Sequence, residues 1–143
     1  METASLKAKI RSAILIALFG LGSYSRIAVA ADIEVTLEGS QEVPPVQTEA
    51  SGSGTITIAD DGTVSGSVTT MGIEGTMAHI HTGAKGENGP PIVTLTKQGN
   101  TYSVPANTKL TDTQRASLDS GALYVNVHSA AHPGGELRGQ LTQ

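Results

Sequence analysis

The chain has 143 residues, a formal net charge of −4 and no cysteine, which excludes disulfide bridges, thiolate metal sites and thiol redox chemistry. Without its first thirty residues it keeps five basic and twelve acidic side chains, a net charge of −7 that disfavours nucleic acid and anionic membrane surfaces as partners. Aromatic residues make up only 3%, so any core must be built from Val, Ile and Leu, with Tyr102 and Tyr124.

In chain order, Lys7, Lys9 and Arg11 precede an apolar run from Ala13 to Leu21. Ala28-Val29-Ala30 then supplies the small-x-small pattern of a cleavage site. Residues 1–30 are therefore expected to be a secretory signal peptide cut after Ala30. The mature domain at 31–143 is then secreted or periplasmic. The alternative is an uncleaved N-terminal anchor. The run is far below the ~20 residues a span needs. No second apolar run follows, so no membrane span is expected after cleavage.

Ile33 to Leu37 and Gly54 to Ile58 alternate apolar and polar residues, the pattern of half-buried strands. Pro44 and Pro45 keep the segment between them out of sheet interior. Asp60-Asp61-Gly62 reads as the turn of a hairpin with a third strand over Thr63–Thr70. It lacks the further oxygens and closing Glu of a calcium loop. Met77 to His81 is a short strand, followed by a Gly- and Pro-rich loop over Thr82–Pro91. Ile92 to Leu95, Tyr102 to Val104, Leu123 to His128 and Leu137 to Leu141 are further strands. The one helix expected lies near 111–120, with a capping box at Thr111 and Gln114 and a C-terminal glycine at Gly121. Short strands at this spacing predict an all-β domain, a Greek-key β-sandwich or barrel.

All four histidines fall in two segments. His79 and His81 share one face of a strand, with Ala78 and Ile80 on the other. Tyr124, Asn126 and His128 share a polar face, and His132 follows in the next loop. A His-x-His pair with a distant third histidine can converge on one ion, and nitrogen ligands without sulfur suit copper(II), nickel or zinc. Copper(I) is less favoured without Met or Cys nearby; Met77 has the strand parity of His79 and would add a thioether. The competing reading is structural, with the same imidazoles bonding loop carbonyls.

Glu136 and Arg138 share a strand face, either as a pair or partner contact or as a plain solvated face, the former contributing only ~0–1 kcal/mol at a surface. Glu42, beside the prolines, either anchors its loop or binds something. No serine or carboxylate pair has catalytic spacing. Ser129 follows His128 directly, so the two face opposite ways.

Five ordered motifs then carry a resemblance. Gln41-Glu42-Val43-Pro44-Pro45, Ala78-His79-Ile80-His81-Thr82-Gly83, Asn88-Gly89-Pro90, Tyr124-Val125-Asn126-Val127-His128-Ser129 and Pro133-Gly134-Gly135-Glu136-Leu137-Arg138-Gly139-Gln140 together resemble the CHRD (chordin-type) domain over roughly residues 33–141. The resemblance implies an extracytoplasmic β-sandwich whose namesake binds growth factors of the bone-morphogenetic type. It also implies a fold similar to Cu,Zn superoxide dismutase, which places His79, His81 and His128 where ligands are expected. His132 falls at a variable position. A full copper–zinc site needs six histidines and an aspartate, and four histidines cannot build it, so dismutase activity by that mechanism is not expected. The leading expectation is an exported copper- or zinc-binding protein with His79, His81 and His128 as ligands and His132 as a fourth, a redox enzyme of the superoxide dismutase type being the last-ranked alternative. The alternative is a metal-free module that engages an extracytoplasmic protein through the Gln41–Val46 and Thr82–Pro91 loops.

Overall fold

A computed structural model describes residues 29–143. The basic segment and apolar run of the expected signal peptide lie outside the described residues. The described residues form nine strands: β1 (Ala30–Glu38), β2 (Ser51–Ala59), β3 (Val64–Met71), β4 (Gly75–Thr82), β5 (Pro91–Thr94), β6 (Thr96–Gln98), β7 (Thr101–Ser103), β8 (Leu123–Ser129) and β9 (Leu137–Leu141). They make one antiparallel sheet in the order β5-β4-β8-β9-β1-β2-β3-β7-β6. The last strand returns beside the first, the Greek-key feature. The two terminal strands of the sheet, β5 and β6, are separated in sequence only by Leu95, so the sheet curls into a nearly closed barrel. No helix among the described residues is long and apolar enough to cross a membrane.

The alternation read from the sequence is the alternation of burial. In β1, Ile33, Val35 and Leu37 point into the core while Glu34, Thr36 and Glu38 face water. Ile56, Ile58, Val64, Val68, Ala78, Ile80, Val125 and Val127 complete the barrel interior with them. Each such aliphatic side chain contributes ~1.5–3 kcal/mol when fully buried. The β2–β3 hairpin turns at Asp60–Gly62, where Gly62 has φ of 87° and Asp61 accepts the Thr63 N–H at 2.9 Å. Helix α1 (Asp112–Asp119) has the expected capping box: Thr111 Oγ1 accepts from Gln114 N, and Thr111 N donates to Gln114 Oε1.

Strand β8 departs from alternation, with all seven of its residues buried. Its odd-numbered residues Leu123, Val125 and Val127 lie in the core. Its polar face carries Tyr124, Asn126 and His128, only 3%, 3% and 9% exposed. That face is roofed by the loops after β1, after β4 and after β8, which bond to it directly. The result is a second, polar layer on the outside of the barrel, and it holds His79, His81 and His128.

Candidate metal centre

The register of β4 against β8 sets this layer. His79 stands opposite Asn126, His81 opposite Tyr124, and Met77 opposite His128. Beyond β8, Asn126 is opposite Arg138 and Tyr124 opposite Gln140 on β9. Three imidazoles therefore come from two neighbouring strands onto one face. His79, His81 and His128 each present a ring nitrogen, and the three nitrogens lie within 4.8 Å of one another.

Hydrogen bonds fix which nitrogen each ring offers. His81 Nδ1 lies 2.8 Å from the Gly89 carbonyl, and His128 Nδ1 lies 2.7 Å from the Pro133 carbonyl. A carbonyl only accepts, so both Nδ1 atoms donate, and each neutral ring keeps its lone pair on Nε2. His128 Nε2 is 3.1 Å from His79 Nδ1, which donates the intervening proton. His81 Nε2 is buried with no partner at all. A buried acceptor left unmade costs about 1–3 kcal/mol, and a bound cation would remove that cost.

The donor set fits a transition metal. Metal–nitrogen bonds of ~2.0–2.1 Å put two tetrahedral ligands about 3.3 Å apart, close to the 3.1 Å of the His79–His128 pair. The His81 nitrogen lies within 4.8 Å of the other two. The carbonyls of Gly89 and Pro133 orient the His81 and His128 rings, as outer partners of metal-ligating imidazoles do, and would raise their basicity toward an ion. For His79 to ligate through Nδ1, its proton would have to sit on Nε2 instead, so that His79, His81 and His128 would hold the ion with three neutral imidazole nitrogens. Burial, and then the neighbouring His128 and His81, hold the His79 imidazole below the usual histidine range. Burial also lowers His81, against the Gly89 carbonyl and with help from His128 and Arg138. Both rings are thus kept in the neutral form that ligates.

His81 is held in a stack. Its ring lies 4.8 Å from that of Tyr124 at an angle of 12°, and the Arg138 guanidinium sits 3.5 Å from the Tyr124 ring centre. Arg138 Nη1 donates to the Glu87 carbonyl at 2.8 Å, and Nη2 donates to the Ala84 carbonyl at 2.9 Å and to Gln140 Oε1 at 3.0 Å. Tyr124 and Gln140 bond the same loop, at Gly89 N and the Gly83 carbonyl respectively. This loop supplies the carbonyl that orients His81. A Cβ at Gly89 would lie only 1.7 Å from the Thr82 carbonyl oxygen, so the close approach requires glycine.

Other residues singled out in the sequence take different places. Glu136 and Arg138 do not form a pair and do not line a solvated face: they are 7% and 1% exposed. Arg138 turns to the loop after β4, whereas Glu136 accepts from Thr48 at 2.7 Å and Ser129 at 2.5 Å. Burial works against ionisation of Glu136, but the bonds from Ser129 and Thr48, with the charge of His132, bring its carboxyl below its ordinary range. His132 lies on the Glu136 side and is not among the three converging nitrogens. Glu42 is an anchor, its Oε1 accepting from Asn126 Nδ2 at 2.6 Å. Burial raises its carboxyl, a shift that the Asn126 bond and Arg138 oppose. Tyr124 in its stacking role and Gln140 escape the sequence reading, although strand parity with Asn126 and Arg138 puts them on the same face.

The family model described as the CHRD domain matches residues 33–141. No curated protein and no solved structure matches the chain.

Proposed function

The chain belongs to the CHRD domain family, and from the cluster that its fold assembles we propose that it is a transition-metal-binding protein acting outside the cytoplasm. The observation that carries this reading is the pairing of converging nitrogens with fixed tautomers. His81 and His128 turn their Nδ1–H groups to backbone carbonyls, which leaves the His128 Nε2 lone pair on His79 and the His81 Nε2 lone pair buried and unpartnered in the same cluster. His79, His81 and His128 are the ligands, and copper or zinc is the ion. The basic segment, apolar run and small-x-small pattern within residues 1–30 support this reading, because an exported chain meets such ions away from the cytosolic thiol pool. Titration of the purified protein with zinc and copper(II), followed by native mass spectrometry, tests it. One ion per chain is expected, lost in the His79→Ala/His81→Ala/His128→Ala variant. Equal binding by the variant and the parent protein would refute the reading.

A second reading has its own observation. A cleft of about 630 Å³ lies between the loop after β1 and the loop after β4, lined by Gln41, Val43, Pro45, Lys85 and Gly86. It supports contact with an extracytoplasmic protein through those two loops. A partner retained after chelation favours it, and a partner released by chelation ties recognition to the metal.

A further inference from the structure

Met77 stands on the imidazole face without a role in the contacts described above. It precedes His79 by two residues on β4, and the strand register sets it directly opposite His128. Residues opposed in this way have Cβ atoms ~4.5–5.5 Å apart, within the reach of an unbranched thioether. Its neighbours on the core face, Ala78 and Ile80, are 0% and 1% exposed, yet Met77 is 49% exposed. The register shifts between Gly75 and Met77, the kind of irregularity that re-aims a side chain. An apolar, polarisable side chain is thus left in water at the rim of three nitrogen donors.

Three imidazoles leave one vertex of a tetrahedral site open. Met77 flanks two of the three ligands, His79 along its own strand and His128 across the register. We propose that the Met77 sulfur is the fourth ligand and that copper(I) is the ion this set is built to hold. Zinc and copper(II) are satisfied by imidazoles and water, and gain little from a thioether. Copper(I) is soft and favours one. No cysteine is present to supply a thiolate in its place. This inference rests on the histidine site proposed above and adds its fourth ligand and its oxidation-state preference.

The test uses the purified protein loaded anaerobically with one equivalent of copper(I). X-ray absorption should show one sulfur neighbour beside the imidazole nitrogens. In competition with a chromogenic copper(I) chelator, Met77→Leu should weaken copper(I) binding by about tenfold or more, while zinc affinity stays unchanged. Leucine keeps the apolar bulk at an exposed position, and an unchanged circular dichroism spectrum shows that the fold persists. A shell of nitrogen and oxygen alone, or equal copper(I) affinity in Met77→Leu, overturns the methionine and leaves the histidine site standing. Failure of the parent protein to bind zinc or either form of copper overturns both.

Discussion

Replacing Arg138 by methionine should damage stability and metal affinity together, through one loop. The guanidinium is 1% exposed and donates to the backbone carbonyls of Ala84 and Glu87. Hydrogen bonds to a charged group contribute ~1.5–3 kcal/mol each. The stack on Tyr124 adds ~1–2 kcal/mol in a desolvated setting. Desolvation of the parent arginine and hydration of the freed carbonyls offset part of this, so a net loss of about 3–4 kcal/mol is expected. Methionine fills similar volume, which limits any contribution from a cavity. The same change frees the loop that carries Gly89, the carbonyl partner of His81. Loss of such an outer partner typically costs 10–100-fold in metal affinity. Urea unfolding of the metal-free variant reads the first quantity, and zinc titration below the unfolding midpoint reads the second. A loss under about 1 kcal/mol would refute the account of Arg138 as the clamp on this loop. Full loss of stability with unchanged zinc affinity would refute the link from clamp to ligand.

Metal affinity should fall at low pH as the ligating imidazoles protonate. His79 and His81 are both shifted down, so each stays neutral, and able to ligate, to a lower pH than free histidine; following their ring proton signals by NMR in the metal-free protein from about pH 8 to 4 would refute this if either titrated at or above ~6.5. The same shifts act on folding. The unfolded chain binds more protons than the folded one once pH drops below ~6.5, so these two residues' contribution to stability is intact above that value and is lost as pH falls through their folded pKa values. Gly135→Ala should destabilise the protein by about 2–4 kcal/mol, measured by thermal or urea unfolding. Gly135 has φ of 130°, and a Cβ there would lie 2.1 Å from Asn126 Nδ2 and 2.6 Å from Glu42 Oε1, forcing apart the bond that anchors the loop after β1.

The barrel was legible because alternation is a local property. Ile33-Glu34-Val35-Thr36-Leu37 states which side faces the core without reference to any other segment. The Asp60–Gly62 turn and the Thr111 cap are local in the same sense. Strand β6 was not legible, since Thr96, Lys97 and Gln98 are all exposed and carry no apolar face. The convergence of the histidines was half legible. Parity put His79 with His81, but the register that brings His128 beside them depends on pairing across 49 positions. The burial of Arg138 and Glu136 was hidden for a stronger reason. Two of the bonds that Arg138 makes to this loop go to backbone carbonyls, which every residue has, so no side-chain pattern marks them. A polar face that alternates as a solvated one would is covered by loops whose path the sequence does not state.

The seam of the barrel has a consequence for life without disulfides. A sheet that ends in open air presents unpaired N–H and C=O groups to any passing chain, and is a template for fibril growth. Here the two outermost strands, only four and three residues long, are successive segments of one stretch of backbone hinged at Leu95. Leu95 itself is 5% exposed, and its N–H is tied to the Ala78 carbonyl on β4. What would have been two free borders is therefore a single short fold of chain. A protein with no covalent cross-links, if crowded at a cell surface, gains from this closure a resistance to self-assembly that its core alone would not provide.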